Sequence, residues 1–182
     1  MTKIAVLVGS LRRDSINRKF AAALEKLAAG RMEFVYADLS GLPHYNDELW
    51  DSPPEPVTQL KALIESADAV LVLTPEYNRT YPGVLKDAID WGSRPWGQNS
   101  WVGKPLAITG TSPGAIGTAV GQHHLRTAMV AAGTAVMGQP ELYYAYKPEH
   151  FGDDGSVTDE GTRSFLESWL NSFAGWVAQT GK

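Results

Sequence analysis

Ile4-Ala5-Val6-Leu7-Val8, near the start of the chain, is a continuous apolar run that ends at Gly9-Ser10. A second strongly apolar run, Ala69-Val70-Leu71-Val72-Leu73-Thr74, stops at Pro75. Short apolar runs without polar alternation are typical of strands buried on both faces of a parallel sheet. The two runs are therefore predicted to be the first and third strands of such a sheet.

Residues at helical spacing alternate with strand-like segments along the rest of the chain. Further strands are predicted at 32–39, 106–111 and 134–137. Helices are predicted from residue 16 to 27, 57 to 67, 84 to 91 and 118 to 132, and over a tail whose stripe is Phe165, Trp169, Phe173 and Val177. Right-handed crossovers then predict a three-layer α/β sandwich with five parallel strands in the order 2-1-3-4-5.

Length and composition exclude several classes of function. The 182 residues suit one domain, 1–182, and the net charge of −4 offers no general basic surface for nucleic acid. The chain has no cysteine, and its four histidines lack metal-ligand spacing, so no metal site is expected. With no signal peptide and no apolar run of about 20 residues, we expect a cytoplasmic protein without a membrane partner.

The loop after the first strand suits a phosphate group. It leads into a helix, whose first backbone N–H groups and dipole favour an anion. Ser10 and Ser15 add hydroxyl donors, Asn17 adds an amide and Arg12 adds a fixed positive charge. The alternative interpretation makes Ser15 a helix cap and Arg12 a solvated turn residue.

The loops after the third and fourth strands lie where the strand order reverses, which is where ligands bind in such sheets. Pro75-Glu76-Tyr77-Asn78 offers backbone N–H and carbonyl groups to the edge of a flat ring, and Ser112 and Gly114 can approach the ring from the next loop. Alternatively, Tyr77 and Tyr81 are aromatic residues that cap the core, and Glu76 is a surface charge.

These loops together resemble the NAD(P)H-dependent FMN reductases, which include bacterial chromate, quinone and ferric-acceptor reductases. The family's phosphate loop is similar to Gly9-Ser10-Leu11-Arg12 with Ser15 and Asn17. Its second signature is similar to the segment from Pro75 to Trp91, and its third to the loop from Thr111 to Gly117. The chain departs from the family pattern at three positions, which are Thr80, Asp87 and Thr118 in place of Ser, Asn and Gly.

The resemblance implies a flavodoxin-like fold and an enzyme that passes electrons from NADPH or NADH through FMN to a small acceptor. Hydride transfer at flavin N5 and ping-pong kinetics follow from that implication, and no catalytic side chain is required. Quinones, flavins, ferric chelates, chromate and azo compounds are the acceptors to consider, and a homodimer or homotetramer is expected. The FMN contacts so implied are Ser10, Arg12, Ser15, Asn17, Pro75, Glu76, Tyr77, Asn78, Ser112 and Gly114.

The substrate side is less constrained by the sequence. Arg94 and Tyr81 are candidates for binding the nicotinamide cofactor or an anionic acceptor, and Trp91, Trp96 and Trp101 are candidates for bordering the ring or a subunit interface. Two other classes of protein stay open. One is a flavodoxin-type electron carrier without direct NAD(P)H oxidation, and the other is a flavin-binding regulatory protein.

Overall fold

The computed structural model describes residues 1–181, whose strands form one parallel sheet. The strands are β1 (Thr2–Val8), β2 (Met32–Tyr36), β3 (Ala69–Leu73), β4 (Pro105–Ser112), β5 (Ala135–Val136) and β6 (Leu142–Ala145). Their order is β2-β1-β3-β4-β5, with β6 also paired to β4. The predicted flavodoxin-like order is therefore confirmed.

The edge of the sheet beside β4 differs from the prediction of one fifth strand. The six residue steps from Val136 to Leu142 lie opposite only three steps of β4, from Leu106 to Thr109. Pro140 lies in this excess segment and has no N–H to donate to a strand ladder. The edge is therefore divided into β5 and β6, which pair with β4 in two different registers.

Helices cover both faces of the sheet. They are α1 (Ile16–Leu27), α2 (Glu55–Ser66), α3 (Gly83–Gly92), α4 (Ala119–Ala131) and α5 (Glu160–Thr180). The alternating side chains of β1 divide between two cores, with Val6 packed in the cluster of α1 and α5 and Leu7 in the cluster of α2, α3 and α4. This arrangement is the predicted three-layer sandwich.

The stripe predicted for the tail helix is wrong at its first position. Trp169, Phe173 and Val177 are buried, but Phe165 is 50% exposed and Leu166 is buried in its place. A row of residues four apart turns 40° further round a helix of 3.6 residues per turn at each step. The first member of the row has therefore left the buried face.

Residues 1–181 contain neither a membrane-spanning helix nor a cluster of metal ligands. None of the helices there combines the length and the apolar character that a membrane span needs. The same stretch of chain holds no group of three or more His, Cys, Asp or Glu side chains placed to bind a metal ion.

The carboxyl ends of the central strands bring the candidate loops together. The Gly9 N–H donates to the Leu73 carbonyl at 2.9 Å, so the loops after β1 and β3 start side by side. The Thr74 N–H likewise donates to the Thr109 carbonyl at 2.9 Å. The loop after β4 therefore starts next to the loop after β3.

Candidate functional site

The loop after β1 has polar groups that the protein leaves free. Ser10 is buried and Arg12 is exposed, and neither side chain forms a hydrogen bond or ion pair within the described residues. Ser15 caps α1, because its hydroxyl oxygen accepts the Arg18 N–H at 3.2 Å. That hydroxyl can still donate its own hydrogen, so the cap and the phosphate contact are compatible.

Asn17, placed with this loop by its sequence, is tied to β4 in the structure. Its buried side-chain amide donates to the Thr111 carbonyl, and its oxygen accepts the Thr111 N–H, each at 2.9 Å. The side chain thus completes the backbone hydrogen bonding of Thr111. Asn17 joins α1 to β4 and has one amide hydrogen left for any other partner.

The segment after β3 folds into a tight turn. The Tyr77 N–H donates to the Thr80 carbonyl at 2.9 Å, and the Thr80 N–H donates to the Tyr77 carbonyl at 3.1 Å. The two central residues, Asn78 and Arg79, have φ of 51° and 66°. A turn with two such residues belongs to the type I′ class, for which asparagine is a known signal. The predicted segment ended at Asn78, so it missed Arg79 and Thr80 as parts of this turn.

The carboxylate of Glu76 points to α4. Its Oε2 accepts the backbone N–H of Gly121 at 3.0 Å, and its Oε1 lies 3.6 Å from a guanidinium nitrogen of Arg79. The side chain is only 13% exposed. Glu76 therefore contributes its carboxylate to the support of the turn, while its backbone stays within the segment expected to face a ring.

The loop after β4 closes against the edge strand. Ser112 donates its hydroxyl to the Gly114 carbonyl at 3.2 Å, and Gly114 itself is exposed. Gly117 has a φ of 58°, and a Cβ there would lie 2.6 Å from the Tyr144 nitrogen. Only glycine fits this close approach, which fixes where the loop ends.

The three loops also present apolar side chains to solvent. Leu11, Tyr77 and Ile116 are 54%, 46% and 51% exposed, and each belongs to a different loop at the carboxyl edge of the sheet. A flat ring is a suitable cover for apolar surface of this kind. Together with the free donors of the first loop, this composition fits a molecule that has both a ring and a phosphate, as FMN has.

The substrate candidates lie on two neighbouring segments. Tyr81 is partly buried against the core of α2, α3 and α4, and this burial raises the pKa of its phenol. Arg94 stands 6.0 Å from the ring centroid of Trp96, which is 89% exposed. Trp91 and Trp101 are fully buried core residues, so these two do not border a ring or an interface.

Asp87, one of the departures from the family pattern, anchors the irregular segment after β2. Its carboxylate accepts the Tyr45 N–H at 3.0 Å and lies 3.0 Å from Nδ1 of His44. Trp91 adds a hydrogen bond from its indole N–H to the Pro43 carbonyl at 2.9 Å. These contacts hold the segment on α3, the helix that follows the turn after β3.

Comparison with known proteins defines the class. The model of the family described as NADPH-dependent FMN reductase matches residues 2–149. The chain belongs to this family. The predicted class, an FMN-dependent NAD(P)H:acceptor oxidoreductase, is confirmed.

Several individual proteins are closely similar. A 2-hydroxy-1,4-benzoquinone reductase from Burkholderia is 47% identical over 96% of both chains, and a quinone reductase from Pseudomonas putida is 44% identical over 96% of this chain and 94% of its own. Among solved structures, FerB, a flavoenzyme NAD(P)H:(acceptor) oxidoreductase from Paracoccus denitrificans, has a TM-score of 0.98 and 51% identity over 100% of both chains.

Proposed function

We propose that this protein reduces small quinones with NADPH or NADH, using FMN held at the carboxyl edge of its sheet. The observation that carries the proposal is the meeting of two surfaces at that edge. One is the first loop, with free hydroxyl and guanidinium donors, and the other is the half-exposed apolar surface of Leu11, Tyr77 and Ile116. The similar proteins from Burkholderia and Pseudomonas putida, named as quinone reductases, support the choice of acceptor.

The first loop would hold the phosphate of FMN. Ser10, Arg12 and Ser15 supply side-chain donors, and the N–H groups of Ile16 and Asn17 at the start of α1 have no partner within the described residues. A helix start with such free N–H groups stabilises a dianion through hydrogen bonds and the helix dipole. A guanidinium adds charge-assisted hydrogen bonds of about 1.5–3 kcal/mol.

The other two loops would hold the ring. Pro75, Glu76, Tyr77 and Asn78 offer the backbone of a rigid turn, and Ser112 and Gly114 approach from the neighbouring loop. When bound, FMN supplies the redox chemistry by taking a hydride from the reduced nicotinamide and giving electrons to the acceptor. The chain's own part is to bind, to orient the ring and to leave one face open, with Arg94 and Tyr81 as contacts for the incoming substrates.

Several finer properties belong to the same proposal. The chain acts as one FMN-binding domain, 1–182, in the cytoplasm and as a homodimer or homotetramer. Its net charge of −4 argues against nucleic acid as a partner. Free flavin, ferric chelates, chromate and azo compounds are further candidate acceptors, because a reduced flavin with one face open to solvent would pass electrons to small oxidants of higher reduction potential.

A spectroscopic titration tests the proposal. The purified protein is mixed with FMN, freed of unbound flavin, and treated anaerobically with stoichiometric NADPH or NADH and then with 1,4-benzoquinone. Bleaching of the flavin absorbance by the nicotinamide, and its return on addition of the quinone, are the expected results. Bound flavin that the nicotinamide leaves oxidised would favour the electron-carrier alternative. A protein that retains no FMN would contradict the central claim.

A further inference from the structure

Helix α4 begins without a cap of its own. Thr118, the residue before its first turn, has a φ of 66°, and its side chain makes no cap hydrogen bond. Its hydroxyl oxygen instead accepts a hydrogen bond from the side chain of Gln122 at 3.0 Å. The first N–H groups of a helix need partners from outside the helix. In α4 the Ala119 N–H donates to the Ile116 carbonyl of the preceding loop at 3.2 Å, whereas the Gly121 N–H is bonded to a more distant part of the chain.

Glu76 supplies this more distant partner from the loop after β3. Its Oε2 accepts the N–H of Gly121, the third residue of α4, at 3.0 Å. A carboxylate is favoured there because it meets both a free donor and the positive end of the helix dipole. The side chain is shielded from water, at 13% exposure, which strengthens the contact.

The same turn is seated on α4 at a second point. The Thr80 hydroxyl lies 3.2 Å from Nδ1 of His124. A Cβ on Gly121 would lie 3.3 Å from the Thr80 carbonyl oxygen, so the helix and the turn approach closely. Both ends of the turn from residue 76 to residue 80 are therefore fixed to one helix.

Helix α4 also supports the loop after β4. The side-chain nitrogen of Gln122 donates to the Leu142 carbonyl at 3.0 Å and lies 3.4 Å from the Gly117 carbonyl. Gln122 is completely buried, so these contacts are part of the core. One helix thus carries both loops that face the proposed ring site.

We propose that Glu76 is a positioning residue for the flavin. By capping α4 from the loop after β3, its carboxylate holds the turn in the shape that receives FMN and ties that turn to the loop after β4. This inference rests on the proposed function, because it assigns the turn to the FMN ring. In this role the carboxylate acts through its hydrogen bond to Gly121 and needs no contact of its own with the cofactor.

The test uses the full chain and FMN itself. Glu76→Ala removes the cap, and Glu76→Gln keeps an oxygen acceptor but removes the charge. A turn that is competent only part of the time binds ligand more weakly in proportion to that fraction. Loss of a charged acceptor then predicts an FMN Kd about tenfold higher for Glu76→Ala, and about threefold higher for Glu76→Gln. The flavin midpoint potential should also shift in Glu76→Ala.

Asp159→Ala is the matched control. Asp159 caps α5 by accepting the Thr162 N–H at 2.7 Å, so this variant loses the same kind of cap in a helix that carries neither ring loop. It should lower Tm as Glu76→Ala does and leave the FMN Kd and the midpoint potential unchanged.

Three outcomes would overturn an assignment. If Glu76→Ala behaves like the control, the positioning role is wrong. If Glu76→Ala does not fold, an unchanged FMN Kd in Glu76→Gln contradicts the positioning role equally well. A wild-type protein that fails to bind FMN would instead overturn the proposed function.

Discussion

The loop after β1 and the turn after β3 start side by side at one edge of the sheet, yet they are built in opposite ways. In the first loop, Ser10 and Arg12 have no partner within the described residues. In the turn, the Tyr77 and Thr80 backbones bond to each other, and Glu76 bonds to α4. The polar side chains of the first loop are therefore left to bind a ligand. The polar groups of the turn are already bonded within the protein.

Because of this difference, the first loop should determine how tightly FMN binds, and the turn should determine the geometry of the ring site. A side chain without a protein partner can be removed at little cost to folding, and the loss appears when the phosphate binds. A side chain already bonded within the protein affects stability first, and binding only through the geometry that it holds. Substitutions in the two regions should therefore change two different quantities, the FMN affinity for the first loop and the stability for the bonded side chains.

The largest effect is expected at Asn17. Asn17→Leu leaves the buried N–H and carbonyl of Thr111 without partners, at roughly 1–3 kcal/mol for each group. The free energy of unfolding should fall by about 4 kcal/mol in a denaturant titration without FMN. Asn17→Asp keeps the acceptor for the Thr111 N–H but sets a second carboxylate oxygen against the buried Thr111 carbonyl, so it should not restore the lost stability. If Asn17→Leu were as stable as the wild type but bound FMN more weakly, the Asn17 side chain would be assigned to the phosphate site instead.

The next effect is expected at Arg12. Arg12→Ala removes the charge-assisted contact to the phosphate, worth about 2 kcal/mol, so the FMN Kd should rise roughly 30-fold. Without FMN, Tm should stay unchanged, because Arg12 is exposed and unpaired within the described chain. Arg13→Ala removes an equal charge from the same loop and should change the Kd less than threefold. Unchanged FMN affinity in the folded Arg12→Ala variant would refute the assignment.

Substitution of Ser15 should lower both the stability of the protein and its affinity for FMN. Ser15→Ala removes the cap of α1, worth about 1 kcal/mol of stability, and also one hydroxyl donor to the phosphate, worth about 1 kcal/mol of binding. Chemical denaturation and FMN titration of the same samples would measure the two losses separately. Ser15→Thr keeps the hydroxyl and should recover most of both. A loss of stability alone would leave Ser15 as a cap and nothing more.

The smallest effect is expected at Arg79, where φ is 66°. Arg79→Gly relieves a left-handed backbone conformation that costs roughly 1–2 kcal/mol. Glycine also raises the conformational entropy of the unfolded chain, which offsets part of this gain in stability. A net stabilisation of about 0.5 kcal/mol should be seen by thermal unfolding. Arg79→Ala removes the same ion pair with Glu76 without relieving the backbone. A glycine variant no more stable than the alanine variant would mean that the turn is unstrained.

Much of the fold was predictable because its signals are local. The apolar runs that form β1 and β3 are buried on both faces, and helical spacing alternates with them along the chain. Handedness and chain length then leave few ways to order the strands. The division of the edge into β5 and β6 was not predictable in the same way, because it depends on how the backbone after Val136 meets β4.

For the candidate site, the sequence by itself determined which residues follow the strands that meet at one edge, and hence which groups gather there. Only the tertiary structure decided how each of them is used. Asn17 bonds to Thr111, and Glu76 bonds to Gly121, which lies 45 positions further along the chain. A hydrogen bond between distant segments depends on the packing of whole helices against the sheet. Side-chain chemistry can therefore be read from residue type, whereas whether a side chain is free or already bonded is settled only when the chain is folded.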